Sequence, residues 1–370
     1  MTTRRFIVEP RGLASNRLKL LVPLGSIFAA LVVSGIFLLL TGENPFAVYG
    51  QMVDASFGSS RSVAETLISA TPLILTGVAA AIAFKMQVWN IGGEGQFLMG
   101  AVFAAGVAIW LGDGTPAAII LPAVILAGGV GGAFWASVSA VPRVYLGTNE
   151  IITTLMLNFI AINFVNFLIF GSNSPWRDPE ASAFPSGRPI PESARLAEFF
   201  QRLDVGIFIA ILLTIVAWYL MSKTRWGFAV RIVGDSTTTA RYAGIGVSRK
   251  ILGVFLLSGA YAGFAGGLFV SGPVGALDPR SLILGLGFTG IIVAALARLN
   301  LIAVIPVAIL LGALNNSGPA LQSIGVPTAT VTMLQGAILL FAVAGEFFIA
   351  NRIRRPDKVD DLAADAGVTA

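Results

Sequence analysis

Two polar stretches interrupt an otherwise apolar chain with residue types and spacings that could act on a solute. The first is W-N-I-G-G-E-G-Q, residues 89–96, where Gly92, Gly93 and Gly95 surround Glu94 directly between two apolar runs. Gly-Gly beside an acid is poor helix, so the backbone is expected to unwind where the second run begins. An ordinary turn fits the same residues, although a turn needs no Glu followed at once by membrane. The second stretch is T-N-E-I-I-T-T-L-M-L-N, residues 148–158. At 100° per residue Glu150, Thr153, Thr154 and Asn158 share one face, a polar stripe on a membrane helix. An ionised carboxylate at mid-membrane costs at least about 2.5–3.5 kcal/mol, so such groups are usually functional or paired. Hydrogen bonds between helices, or a simple cap by Glu150 near the helix end, also explain the stripe. Asn90, Glu94, Gln96, Glu150, Thr154 and Asn158 are therefore the candidates to line or gate a route. They suit a neutral polar solute, which needs hydrogen-bond partners rather than fixed charge.

Other chemistry is excluded by what the sequence lacks. It has no Cys and no His, which removes disulfides, thiolate and imidazole metal ligands, and Cys or His catalysis. It has no G-x-x-x-x-G-K-[ST], so energy from ATP must come from a partner. No Ser nucleophile elbow or metal-ligand cluster occurs, so no catalytic or metal-binding residue is assigned and the chain is not expected to be an enzyme.

The elements that position these stretches are membrane spans. With 56% hydrophobic and 12% charged residues, the chain lies far from the soluble average of about one quarter charged. An all-α polytopic protein of about ten transmembrane helices is expected, in one domain over residues 20–350 between an N-terminal tail (1–19) and a C-terminal tail (351–370). The spans are read at residues 20–41, 63–84, 91–111, 117–141, 150–170, 205–221, 251–270, 281–297, 301–314 and 328–350, with a helix at 45–55 lying in the interface. The third, eighth and ninth are short or rich in Gly, and a re-entrant pair would look similar. G-G-V-G-G at 128–132 and G-x-x-x-G from Gly259 to Gly263 each predict a close helix contact. T-G-V-A-A-A-I-A-F-K-M-Q (76–87) echoes T-G-I-I-V-A-A-L-A-R-L-N (289–300), either a duplicated half or a chance likeness between apolar helices.

Charge sets the direction of these spans. Arg61, Arg177, Arg188, Arg195, Arg202 and Arg280 fall in external segments, and the rest of the 24 Lys and Arg residues fall in cytoplasmic ones, with both termini inside. The basic and aromatic residues do not interleave as nucleic-acid binding would require. Residues 171–204, rich in Pro, form an irregular external loop. Residues 223–250 are the most basic interruption, with Lys223, Arg225, Arg231, Arg241, Arg249 and Lys250 against Asp235 alone. Asp235 and Ser236 are good N-caps, T-T-T-A-R-Y-A can make about two helical turns, and Gly244 offers a left-handed stop. The segment is either a solvated connector or a docking surface.

N-I-G-G-E-G-Q, N-E-I-I-T-T-L-M-L-N and V-G-D-S-T-T-T-A-R-Y-A-G-I resemble the marker segments of bacterial ABC-importer permeases of the simple-sugar and nucleoside branch, related to ribose and branched-chain amino-acid permeases. The resemblance covers about residues 20–350, with the three motifs in family order. It implies a multi-pass subunit of the bacterial cytoplasmic membrane that pairs with a second permease, a related chain in a hetero-dimer. It also implies two ATPase subunits, which hydrolyse the ATP, and an external substrate-binding protein, with no cofactor in this chain. In the family, the segment matching 234–245 contacts the ATPase, which marks Gly234, Asp235, Ser236, Arg241, Tyr242 and Gly244 as coupling positions. Relatives commonly carry an acidic or Asn-Pro-Glu-like stretch where this chain has residues 236–239. The motif variants lie closer to nucleoside than to simple-sugar permeases. A different class, an ion-coupled secondary transporter with Glu94 or Glu150 carrying protons, remains open at this level.

Overall fold

A computed structural model describes residues 7–10, 16–171, 174–181, 184–327 and 329–354, without the side chains of 7–20, 23, 342–343, 346–350 and 352–354. The helices are α1 (Asn16–Leu40), α2 (Pro45–Phe57), α3 (Ser60–Phe84), α4 (Gly93–Leu111), α5 (Ala117–Leu146), α6 (Glu150–Asn166) and α7 (Gly206–Lys223). They continue as α8 (Arg225–Asp235), α9 (Thr237–Tyr242), α10 (Val247–Phe269), α11 (Pro279–Leu282), α12 (Leu286–Leu296), α13 (Val304–Ser323) and α14 (Ala329–Ala350). Short π-helical turns, Phe167–Gly171 and Val270–Val274, extend α6 and α10. Among the described residues eight helical segments are long and apolar enough to cross a membrane, and the broken pair Leu24–Leu40 and Pro45–Phe57 can supply a ninth. The all-α polytopic expectation holds; the acidic end of the C-terminal tail lies outside the described residues.

The chain forms two compact units. One joins residues 1–47 and 329–370. In it the strands β1 (Ile7–Pro10) and β4 (Asn351–Arg354) pair antiparallel, and Gly345 of α14 lies against Ser26 of α1.

The other unit, residues 48–328, is built around α3, α4, α5 and α10. Its centre is a contact between backbones. A β-carbon on Gly132 would fall 2.1 Å from the Gly259 carbonyl oxygen, and one on Gly100 would fall 2.4 Å from Gly263 Cα. The two glycine motifs therefore meet each other, since lipid supplies no hydrophobic drive and helices gain by close packing of small residues. The outer faces of α5 and α6 carry Val130, Phe134, Ile152, Phe159 and Phe164 exposed, as membrane helices do.

The expected span at 281–297 stands as Pro279–Leu296, although residues 283–285 interrupt its helix between α11 and α12, because Gly285 stands at φ +72° and a side chain from α4 caps the new helix start. Two expectations need correction. The span at 301–314 runs on to Ser323, so Asn315 and Asn316, just past its expected end, lie inside α13. There Asn316 Nδ2 donates to Ala55 O at 3.1 Å and to Ser62 O at 3.3 Å, which meets its polar requirement within the bundle. The basic segment holds two helices rather than one: α8 precedes α9, with Thr224 Oγ1 accepting from Gly227 N as its cap.

The Pro-rich segment is irregular, as expected, but it is strapped onto the bundle. Leu196 N donates to Ser271 O and Ile190 N to Gly275 O, both at the π-turn that ends α10. Trp176 Nε1 donates to Val102 O in the middle of α4, over the bare surface of Gly106. The strands β2 (Glu198–Phe200) and β3 (Leu203–Asp204) close the segment as a small hairpin.

Candidate functional site

The W-N-I-G-G-E-G-Q stretch is a non-helical loop that turns back into the bundle. α3 ends at Phe84, Gln87 takes φ +56°, and α4 begins only at Gly93. Between them Asn90 Nδ2 donates to Ser258 Oγ of α10, which in turn donates to Ala79 O of α3. Ala79 precedes the end of α3, so the loop has climbed back beside the helix it left. Glycine permits this because the walls are close: a β-carbon on Gly95 would lie 2.8 Å from Trp135 Nε1 and 3.0 Å from Asn158 Oδ1.

Buried unwound backbone needs partners, and the two polar stretches supply them to each other. Asn90 and Gln96 exchange amide hydrogen bonds at 3.0 and 2.9 Å, and Asn90 Oδ1 also accepts from Gly92 N. From α6, Thr154 Oγ1 accepts from Ile91 N, while Asn158 accepts from Gly95 N and donates to Ile91 O, both at 2.8 Å. Asn90, Gln96, Thr154 and Asn158 are thus one buried network. Thr153 is off it; its hydroxyl donates to the carbonyls of Asn149 and Glu150 at the start of α6. A network with its polar groups used internally is rigid, and this one fixes the path of residues 88–95.

The two carboxylates do different work. Glu94 is 1% exposed, and its oxygens accept backbone N–H groups, Oε1 from Gly285 at 3.0 Å and Oε2 from Gly287 at 2.7 Å. Glu150 lies at the edge of the network, 2.9 Å from Arg143 Nε near the end of α5. The cap of α6 is Asn149, whose Oδ1 accepts from Ile151 N. Ser258 and the glycines at 285 and 287 belong to the site but lack a distinctive pattern of their own. A lone Ser in an apolar run was the available signal.

The proposed coupling positions cluster separately. Ser236 caps α9, accepting from Thr239 N at 3.2 Å, and Gly244 closes it at φ +72°. Asp235 is not a cap: it is the last residue of α8, because that helix runs right up to Ser236. Gly234 lets α8 rest on the end of α3, where an added β-carbon would meet Lys85 O at 2.8 Å. Burial, and then the neighbouring Arg231 guanidinium, holds the Lys85 ammonium below the ordinary lysine value. Arg241 is exposed, and Tyr242 is 90% exposed.

The chain is similar over nearly its whole length to three curated permeases. A glucose ABC transporter permease protein of Haloferax volcanii is 33% identical over 94% of this chain and 93% of its own length. A guanosine ABC transporter permease protein of Bacillus subtilis is 31% identical, covering 91% and 97%. A nucleoside ABC transporter permease protein of Lactococcus lactis is 32% identical, covering 90% and 92%. The buried loop-and-stripe network and the apolar helices around it lie within residues 62–343, which match the family described as branched-chain amino acid transport system / permease component, and this chain belongs to that family of ABC transporter permeases.

Proposed function

We propose that this permease imports a nucleoside across a bacterial cytoplasmic membrane, with both termini and the basic segment 223–250 on the cytoplasmic side. The observation that carries the reading is near-complete coverage by two relatives named for guanosine and nucleosides. The buried network of neutral amides and hydroxyls is consistent with it, since the side chains of Asn90, Gln96, Thr154 and Asn158 offer hydrogen-bonding groups and carry no charge. Asn90, Gln96, Thr154 and Asn158 act on the route by holding the loop beside it. A simple sugar is the second reading, favoured by the 33% identity to the glucose permease.

Partners follow from the same reading. The relatives in B. subtilis and L. lactis each have a second permease that also resembles this chain, at 28% and 30% identity. A related chain therefore completes a hetero-dimer, an ATPase subunit supplies the energy by hydrolysing ATP, and an external protein delivers the solute. This chain itself catalyses nothing and needs no cofactor. Gly234, Ser236, Arg241, Tyr242 and Gly244, with Asp235 ending α8, form the face offered to the ATPase. The test is uptake of labelled adenosine by cells expressing the full transporter, with unlabelled guanosine or glucose as competitor. Competition by guanosine alone is expected. Competition by glucose alone would overturn the nucleoside reading, and uptake abolished by an uncoupler but retained without the ATPase would overturn the ABC-driven mechanism.

A further inference from the structure

The break between α11 and α12 leaves a helix start inside the bundle with nothing local to cap it. The N-cap position is Gly285, which has no side chain, and the first N–H groups of any helix lack internal partners. Glu94, from the first turn of α4, supplies both acceptors. The two helix starts touch: a β-carbon on Gly287 would fall 2.2 Å from Glu94 N, and one on Gly93 would fall 3.4 Å from Gly287 O. Two helix N-termini, each with partial positive charge, are thereby brought together, and a buried carboxylate stands at their junction.

A second tie reaches the same point from α3. Thr76 Oγ1 donates to Leu286 O at 3.2 Å, and Gly290 rests against Thr76. The echoed segments 76–87 and 289–300 therefore cross at their Thr-Gly pairs, with Gly77 against Val293 on the reciprocal side. The start of α12 is fixed by one side chain from α4 and one from α3, 193 and 210 residues away in sequence.

We propose that Glu94 is a positioning residue for transport: its carboxylate pins the start of α12 to the start of α4, so that both helix starts move as one body when the permease changes conformation. Residues 283–285 then form the hinge that lets α11 move separately. Glu94 touches no solute in this account. The proposal rests on the permease assignment, but its first readout does not depend on which solute is carried.

The experiment compares wild type with Glu94→Gln, reading amide hydrogen exchange at residues 285–287 in purified protein and adenosine uptake in cells. Gln keeps the shape but turns an N–H₂ donor toward one of the two backbone donors. Exchange at residues 285–287 should accelerate by about tenfold or more, as expected for a lost charged hydrogen bond. The maximal uptake rate should fall by a similar factor while KM stays within about twofold. Unchanged exchange with a raised KM would overturn the proposal by putting Glu94 against the solute. Faster exchange with a normal maximal rate would overturn it by making the pin irrelevant to transport. If Glu94→Gln fails to reach the membrane, Thr76→Val loosens the same helix start from α3. The same pair of changes, smaller, is expected, and no change in either would overturn the idea. Absence of adenosine uptake in wild type would bear on the solute alone and leave the exchange readout to decide.

Discussion

Gly263 of α10 lies so close to Gly128 of α5 that a β-carbon on Gly263 would stand 2.2 Å from the Gly128 carbonyl oxygen. That oxygen is backbone and cannot move aside as a flexible side chain would. Gly263→Val should therefore force α5 and α10 apart, with a loss of about 1–3 kcal/mol or more from overpacking. A lowered melting temperature in detergent is the measurement. Gly50→Ala is the control, since nothing lies within 4 Å of a β-carbon there, and it should melt at or above the wild-type temperature.

The Arg143–Glu150 pair joins α5 to α6 at the margin of the buried network. The arginine side chain is 37% exposed, so water screens the pair. A double-mutant cycle with Arg143→Gln and Glu150→Gln should give a coupling of only about 0.2–1 kcal/mol, shrinking as salt is raised. A coupling several times larger, insensitive to salt, would mark the pair as a desolvated lock.

Asp204 in the Pro-rich segment is buried, with Oδ1 accepting from Gly206 N at 2.7 Å. Burial raises its pKa, and the nearby Glu198 charge raises it further. The folded state thus prefers the protonated form. Its stabilising contribution is complete below the ordinary aspartate range and is lost as pH rises through the raised folded value. Asp204→Asn stays neutral throughout, so its melting temperature relative to wild type should climb as pH rises from the ordinary aspartate range through the raised folded value. A difference that stays flat across that range would show an unperturbed carboxylate.

Span positions were legible because hydrophobic runs and Gly or Pro punctuation are local signals. The start of α4 after W-N-I-G-G follows from residues within one segment, and each half of the glycine interface from its own Gly run, whereas α5 runs past its expected end at 141 to Leu146. The break at 283–285 was not legible, because the group that stabilises it is Glu94, far away in sequence. Glu94 itself stood out as a polar residue among glycines, yet its partners are backbone N–H groups that no side-chain pattern reveals. Asn90, Thr154 and Asn158 were visible as polar groups in apolar surroundings. That they bind one another depends on how the loop folds back against α6 and α10. α8 was hidden by its charges, which read as a connector although R-W-G-F-A-V-R-I-V-G-D buries Gly227, Val230 and Val233 along one side.

Sidedness can be tested directly because the chain has no cysteine to interfere. Ser248 is exposed and Ser186 partly so. With the basic segment inside, a Ser186→Cys variant should react with an impermeant maleimide in intact cells. A Ser248→Cys variant should react only after the membrane is opened. Labelling of Ser248→Cys in intact cells would reverse the proposed orientation.

The basic segment gives the last prediction, because the structure separates two residues that the sequence treats alike. Ser236 Oγ accepts from Thr239 N and holds the first turn of α9, whereas Asp235 ends α8. Ser236→Ala should weaken α9 by roughly 0.5–2 kcal/mol through loss of its cap, while Asp235→Ala should leave α9 intact. Arg241 and the 90% exposed Tyr242 project from the end of that helix, a cation beside an aromatic ring, as suits an anchor in a partner's groove. Arg241→Glu should leave a folded, membrane-inserted permease that co-purifies poorly with its ATPase and no longer stimulates ATP hydrolysis. Ser236→Ala should show a weaker form of the same defect, and Asp235→Ala little of it. Normal complex formation and coupled hydrolysis in Arg241→Glu would make the segment a connector and move the ATPase contact elsewhere.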